Sequence, residues 1–343
     1  MKKLLSICIP TYNRATYLHK CLNSIVDQMD SIINEQIELI VIDNDSKDNT
    51  KEVVTAFIDS GQAITYFKNE SNIGLDGNIT RAFEVANGKY VQVLGDDDYW
   101  IPGKIADLIA LLAKVDAGII YLKPYSFIDD NEQKEFVTFN AHYFFKDSNQ
   151  FLEKINIMAT FTSSNVFNKE LVISQPDFVM NRFLGTDVNL LNWIFTAALA
   201  AKVNVLTKDY FIGSKADNNS GYKFFKVFGV NFNLVLDYFI NKGLKKAVAD
   251  RINYVLTVYF FPKYLKNLNK DKWAYDDNKE EILAFLKKYR NGDQLNQIFL
   301  TNKSGLSNSL TAKSLIKSYH LLKAKSGLFL GLFSGKISKV VIK

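Results

Sequence analysis

The chain has 343 residues, 48% of them hydrophobic, 13% aromatic and 23% charged, with a net charge of +6. That composition fills a real core and excludes wholesale disorder, and the length holds one α/β domain plus a sizeable appendage. The two cysteines, Cys8 and Cys21, have neither metal-ligand spacing nor the number for a disulfide framework, and no stretch reaches the roughly 18–20 uninterrupted apolar residues of a membrane span.

Lys2-Lys3 leads directly into an apolar run over 4–10, without the apolar core or cleavage site of a signal peptide. A cytoplasmic location is expected. That run has strand length, and residues 15–28 carry Leu18, Leu22, Ile25 and Val26 at helical spacing. Residues 37–42 repeat the buried-strand pattern, end in Asp43-Asn44-Asp45-Ser46, and are followed by a helical pattern over 47–58. A third strand is predicted at 64–68 and a helix at 77–86, stopped by Asn87-Gly88. A fourth strand at 90–94 runs into Gly95-Asp96-Asp97-Asp98. A helix (104–114) and a strand (117–122) follow, then an irregular aromatic stretch to about residue 150. A further helix is predicted at 187–201, and from about residue 224 the pattern is helical.

Alternating strands and helices imply βαβ units, with ligands bound beyond the carboxyl ends of the strands. The polar residues fall there: 11–14 after the first strand, 43–46 after the second, 69–74 after the third and 96–98 after the fourth. All four loops share one rim in such a fold.

Three successive carboxylates repel one another unless a cation or a set of donors neutralises them. Hard oxygen ligands select Mg²⁺ or Mn²⁺, which are usually held by one or two carboxylates together with a ligand's phosphates. The residues alone leave an acidic surface turn, or a helix cap ahead of Ile101-Pro102, as the other readings of Asp96, Asp97 and Asp98.

Four blocks in order carry a resemblance: Cys8-Ile9-Pro10-Thr11-Tyr12-Asn13-Arg14, Val41 through Thr50, Asn72-Ile73-Gly74, and Ala86-Asn87-Gly88-Lys89-Tyr90 leading into Leu94-Gly95-Asp96-Asp97-Asp98. Together they resemble the successive signatures of the family-two glycosyltransferases, over roughly residues 3–210. The resemblance implies an α/β chain of GT-A type: a mostly parallel sheet flanked by helices over residues 1–222, then a mainly helical region over 223–343. Within it, residues 74–98 are similar to enzymes that add sugars to bacterial surface-polysaccharide repeat units, including the abequosyltransferase-like group.

Carried over block by block, the resemblance implies that Pro10, Thr11, Tyr12 and Arg14 line a nucleotide pocket. Asp43 accepts a hydrogen bond from the base, which suits the N–H of uracil or thymine, Asn72 and Gly74 lie near base and ribose, and Arg81 faces the nucleotide. Many relatives carry Asp-x-Asp-Asp; aligned on Asp97-Asp98, this chain has Gly95 at the first Asp. The ion, Mn²⁺ or Mg²⁺, is therefore assigned first to Asp97 with Asp98 in support, and Asp96 is placed near ribose or phosphate. The residues taken singly also admit packing for Tyr12, turn formation for Asp43 and Asp45, and a surface ion pair for Arg81.

Gly185-Thr186-Asp187, followed by Leu190, Leu191 and Trp193, resembles the family's Glu-Asp motif, with Thr186 in place of Glu and Asp187 as the base that inverting transfer requires. An Asp ahead of an apolar-periodic run is also a standard helix N-cap. Residues 160–165 resemble the family's acceptor-side strand, and 217–222 a loop that closes over the diphosphate. Many relatives place a His in that loop, whereas the histidines here are His19, His142 and His320; Lys215, Asn219, Ser220 and Tyr222 are the candidates for phosphate or acceptor contacts.

The resemblance thus implies inverting transfer from a nucleotide diphosphate sugar, UDP-sugars favoured, to a saccharide hydroxyl, the expected acceptor being lipid-diphosphate-linked and the setting capsule or lipopolysaccharide synthesis. A catalytically degenerate sugar-nucleotide-binding or scaffold protein is the alternative. A sugar nucleotidyltransferase would carry a glycine-rich basic loop where Pro10 to Arg14 stand, and a dinucleotide-binding Gly-x-Gly-x-x-Gly follows none of the predicted strands. No nucleic-acid partner is expected. Residues 301–343 hold eight lysines and no Asp or Glu, near Leu321-Leu322 and the run from Gly327 to Leu330. Such a segment either makes a peripheral contact with anionic membrane or forms a solvated basic helix.

Overall fold

The computed structural model describes residues 2–127, 136, 138–215, 226–256 and 260. The chain divides into two compact units near residue 217. The first contains, in order, β1 (Leu5–Thr11), α1 (Ala15–Val26), α2 (Ser31–Gln36), β2 (Ile37–Asp43), α3 (Thr50–Asp59), β3 (Ile64–Lys68), α4 (Gly74–Val85) and β4 (Tyr90–Val93). It continues with β5 (Asp98–Trp100), α5 (Lys104–Leu112), β6 (Ile119–Phe127), β7 (His142–Phe145), α6 (Ser148–Ile155), β8 (Asn165–Asn168), α7 (Lys169–Ile173), α8 (Leu190–Ala200) and β9 (Asn204–Lys215). In the second, a π-helical turn (Lys226–Asn231) leads into α9 (Phe232–Ile240) and α10 (Lys246–Val255). The basic tail over 301–343 and the loop residues Asn219, Ser220 and Tyr222 lie outside the described residues.

Among the described residues nine strands form one sheet, in the order β3-β2-β1-β4-β8-β6-β9-β5, with β7 also on β9. The first four are parallel, in the register Leu5↔Ile37 through Thr11↔Asp43, Cys8↔Val93 and Asp43↔Lys68. Their carboxyl ends therefore line up along one edge, where the sequence put its polar loops. Beyond β4 the sheet is mixed: β8 runs antiparallel to β4 and β6, β9 parallel to β6, and β5 and β7 antiparallel to β9. This is the helix-flanked sheet expected, but mixed rather than mostly parallel: apart from β6 with β9, the parallel pairs lie among the four strands that carry the rim.

Hydrophobic spacing explains how the layers meet. Leu18, Cys21, Leu22 and Ile25 lie on one face of α1 and are buried with Leu5, Ile7 and Ile9 of β1. On the other side, Trp193 of α8 is fully buried, its ring 4.5 Å from Phe83 of α4 and 5.9 Å from Phe167 of β8. Burying a side chain of that size contributes about 1.5–3 kcal/mol. α4 ends against Lys169, whose Nζ donates to the carbonyls of Phe83 and Ala86, a cation at the negative end of the helix.

Asp98 does not lie in an open loop. It starts β5, held by the pairs Asp98↔Ser214, Tyr99↔Gly213 and Trp100↔Ile212. The Tyr99 ring lies on Gly213, where a Cβ would come within 2.1 Å of it, so a side chain there would displace the ring.

Candidate active site

The first two rim loops are laced together. Asn13, in the left-handed region at φ 53°, donates its backbone N–H to Ser46 Oγ (2.9 Å), and its side-chain oxygen accepts from Lys47 N (2.7 Å). Asp48 Oδ2 accepts from Ala15 N (3.0 Å), capping α1 from the second loop. Asp43 is fully buried; Oδ1 accepts from Ser46 N (2.7 Å) and Oδ2 from the Tyr66 hydroxyl (2.5 Å). Burial, and then the carboxylate beside it, push the Tyr66 hydroxyl pKa up, so it remains a donor. Each Asp43 oxygen keeps further acceptor capacity. Tyr12 is exposed and Pro10 half-buried at the same edge.

A set of asparagines, of which the sequence singled out only Asn72, joins the second loop to the third. Asn44 is buried; its N–H donates to Thr11 O (2.9 Å), its Nδ2 to Asn72 Oδ1 (2.8 Å) and Gly74 O (3.3 Å), and its Oδ1 accepts from Asn69 Nδ2 (3.0 Å) and Ile73 N (2.9 Å). Asn72 Oδ1 also accepts from Gly74 N (2.8 Å), and Gly74 opens α4 at φ 78°. Asn78, from the next turn of α4, accepts from Asn69 (2.9 Å) and donates to Ile42 O (3.0 Å). The legible signal was the recurrence of Asn at strand ends, where Asn readily forms side-chain-to-backbone bonds.

Arg14 reaches across to the acidic cluster: Nε lies 3.2 Å from Asp96 Oδ1 and Nη2 2.8 Å from Asp97 Oδ2. Thr11 Oγ1 donates to Asp96 Oδ2 (2.7 Å), and Ser163 Oγ donates to Asp98 Oδ2 while accepting from Gly95 N (2.9 Å). Asp96 and Asp98 are both buried, and their carboxyls are pushed up to about 7. Burial is the main cause in each; Arg14 opposes it at Asp96, and the charge of Asp97 adds to it in both. Gly95 has a steric reason to lack a side chain: a Cβ there would sit 3.0 Å from Asp97 Oδ1 and 3.2 Å from Asp98 Oδ2. An acid at this place would add to the same crowd.

Among the described residues no three His, Cys, Asp or Glu side chains form a cage able to hold an ion alone. The donor set instead fits a hard cation shared between one or two carboxylates and a ligand's phosphates. Asp97 is the least buried of the three acids, with a side chain 16% exposed against 6% for Asp96.

The turn before α8 is organised by a residue on another element. Asp76, in the first turn of α4, accepts from Thr186 N (2.9 Å) and Asp187 N (2.8 Å) through Oδ2 and from Asn189 N (3.3 Å) through Oδ1. Gly185 (φ 84°) and Asp187 (φ 59°) are both left-handed. That reversal delays α8, predicted from residue 187, until Leu190, with Asn189 at the N-cap position. Asp187 thus precedes the cap by two residues, and it is exposed. Arg81 is exposed on α4, paired with Glu84 (2.8 Å) and 5.9 Å over the Phe67 ring; it joins none of the rim hydrogen bonds described here.

The structure thereby brings Thr11, Arg14, Asp96 and Asp97 into one polar cluster and Asn44, Asn72 and Gly74 into a second, adjoining one, with the Asp43 carboxylate bonded to Ser46 N and Tyr66. The fold is of GT-A type. The chain aligns with the structure of S. aureus TarS 1-349 in complex with UDP-GlcNAc at a TM-score of 0.59 and 16% identity, covering 93% of this chain and 92% of that one. Residues 6–174 match the model of glycosyl transferase family 2, so this stretch is a domain of that family's kind. The abequosyltransferase RfbV of Salmonella typhimurium is 41% identical over 96 residues, 28% of each chain. The GalNAc(5)-diNAcBac-PP-undecaprenol beta-1,3-glucosyltransferase of Campylobacter jejuni is 30% identical over 182 residues, 53% of this chain and 49% of that one. The chain thus spans about half or less of the length of these curated relatives. Among the described residues no helix is long and apolar enough to cross a membrane.

Proposed function

We propose that the protein is an inverting glycosyltransferase that moves a sugar from a nucleotide diphosphate sugar, UDP-sugars favoured, to a hydroxyl of a lipid-diphosphate-linked saccharide in bacterial surface-polysaccharide synthesis. One observation carries the proposal: a hydrogen-bonded path leads from the acidic cluster to the candidate base. Asp96 bonds Thr11, the Thr11 carbonyl accepts from Asn44, and Asn44 holds Asn72 and Gly74 at the start of α4. Asp76 of α4 then grips the backbone of Asp187. Fixing the two chemical centres against one another is what a displacement between two bound partners demands.

In the proposed reaction the Asp187 carboxylate takes the proton of the acceptor hydroxyl as that oxygen attacks the anomeric carbon. The bond from that carbon to the diphosphate breaks on the opposite face, which inverts the centre. Asp43 accepts from the base N–H, Asn72 and Gly74 lie against base and ribose, and Pro10, Thr11, Tyr12 and Arg14 wall the pocket, with Arg81 at its outer side. Asp97, supported by Asp98, would hold Mn²⁺ or Mg²⁺, which would supply positive charge against the leaving diphosphate, and Asp96 faces ribose or phosphate. The name of the C. jejuni relative, an undecaprenol-diphosphate-linked substrate included, and the UDP-GlcNAc bound to TarS support the substrate classes. The expected place of action is the cytoplasmic face of the membrane, with the basic segment over 301–343 as a peripheral contact.

The test is a thermal-shift panel of UDP-, dTDP-, CDP- and GDP-sugars with and without Mn²⁺, followed by nucleoside diphosphate release from the best ligand. Ligand binding raises apparent stability, and a UDP-sugar is expected to do so most, with the ion present. A panel in which nothing stabilises the protein contradicts the proposal.

A further inference from the structure

We propose that Asp76 is a positioning residue that sets where the Asp187 carboxylate stands, an inference that rests on Asp187 being the base. Asp76 is 5% exposed, and its carboxylate is directed at a turn 110 residues away in sequence. Three backbone N–H groups of that turn, those of Thr186, Asp187 and Asn189, converge on it. Consecutive N–H groups in a turn with left-handed residues form a concavity that binds anions, and Asp76 fills it from outside. The first turn of α4 favours the negative charge from the other side. α8 has no side-chain cap of its own at Asn189, so the carboxylate also stands in for one.

The grip falls on the turn rather than on the helix behind it. α8 is docked independently, by Trp193 against Phe83, by Trp193 Nε1 on Met180 O (2.9 Å), and by Asn189, which accepts from Phe183 N (3.0 Å) and donates to Thr80 Oγ1 (3.0 Å). Removing the Asp76 carboxylate therefore leaves the helix in place and frees the backbone that aims Asp187. The donor rim is touched only through α4, whose first residue keeps its bonds to Asn72 and Asn44.

The experiment compares wild type with Asp76→Ala, Asp76→Asn and Asp187→Asn, following nucleoside diphosphate release from the nucleotide sugar that stabilises the protein most. In Asp76→Ala, kcat is expected to fall about 10²-fold, the size of loss that roughly ångström misplacement brings, with donor KM and the donor-induced thermal shift unchanged. Asp76→Asn should recover part of kcat, since its amide oxygen still accepts from Thr186 and Asp187, and this variant serves if Asp76→Ala does not fold. Wild-type kcat in a folded Asp76 variant, or a donor KM that rises in step with the loss of kcat, overturns the positioning role. Inactive Asp187→Asn beside fully active Asp76 variants overturns this inference alone. Active Asp187→Asn overturns the base assignment, and this inference with it.

Discussion

Arg14 Nη2 lies 2.8 Å from Asp97 Oδ2, and the same guanidinium reaches Asp96 through Nε at 3.2 Å. One side chain thus screens two carboxylates that would otherwise face each other bare. The Arg14 side chain is about one third exposed, so its charged hydrogen bonds are worth about 1–2 kcal/mol after allowance for solvent. Arg14→Gln should lower stability by that amount in denaturant titration, and added Mn²⁺ should stabilise the variant more than wild type. Equal responses to the ion in the two proteins would separate Arg14 from the proposed cation site.

The buried acids predict an unusual pH dependence. Asp96 and Asp98 titrate near 7 in the fold, against 3.8 for an ordinary Asp. The folded state holds more protons between those values, so the stability these groups contribute is complete below about pH 4 and is lost as pH rises through about 7. Asp96→Asn removes one of the two contributions. In a ligand-free thermal-shift series from about pH 5 to 8, its melting temperature should fall less with rising pH than that of wild type. Parallel curves would mean that the Asp96 carboxyl is not held neutral by its burial.

Asn44 ties three rim loops together through one side chain and its N–H. Asn44→Ala should cost about 1–3 kcal/mol, because the buried Asn44 side chain gives up its hydrogen bonds to Asn72 and Gly74 and from Asn69 and Ile73. Donor binding should weaken as well, since the third loop loses its anchor. Urea denaturation and nucleotide titration check the two effects; a variant stable as wild type would show that the network is dispensable.

Much of this arrangement was legible in the residues. β1, β2 and β3 are short apolar runs closed by polar loops, and the structure places their carboxyl ends side by side as that pattern requires. What stayed hidden depends on partners distant in sequence. β5 spans only three residues and exists through its pairing with β9 more than a hundred residues later. Asp76 stands one residue ahead of the helix predicted at 77–86 and reads locally as an ordinary helix-start acid, since nothing near it in sequence announces Thr186 or Asp187. α8 starts later than its apolar pattern because left-handed Gly185 and Asp187 interrupt the backbone, a reversal that hydrophobic spacing does not encode.

The central claim is that Asp187, held on the same hydrogen-bonded frame as Asp96 and Asn44, is the base. Its most direct measurement is a paired assay on Asp187→Asn: the thermal shift induced by the preferred nucleotide sugar, and the rate of nucleoside diphosphate release from it. The account predicts an unchanged shift with a rate lower by about 10²–10⁴, the usual worth of a general base. Wild-type release with the same binding would contradict it.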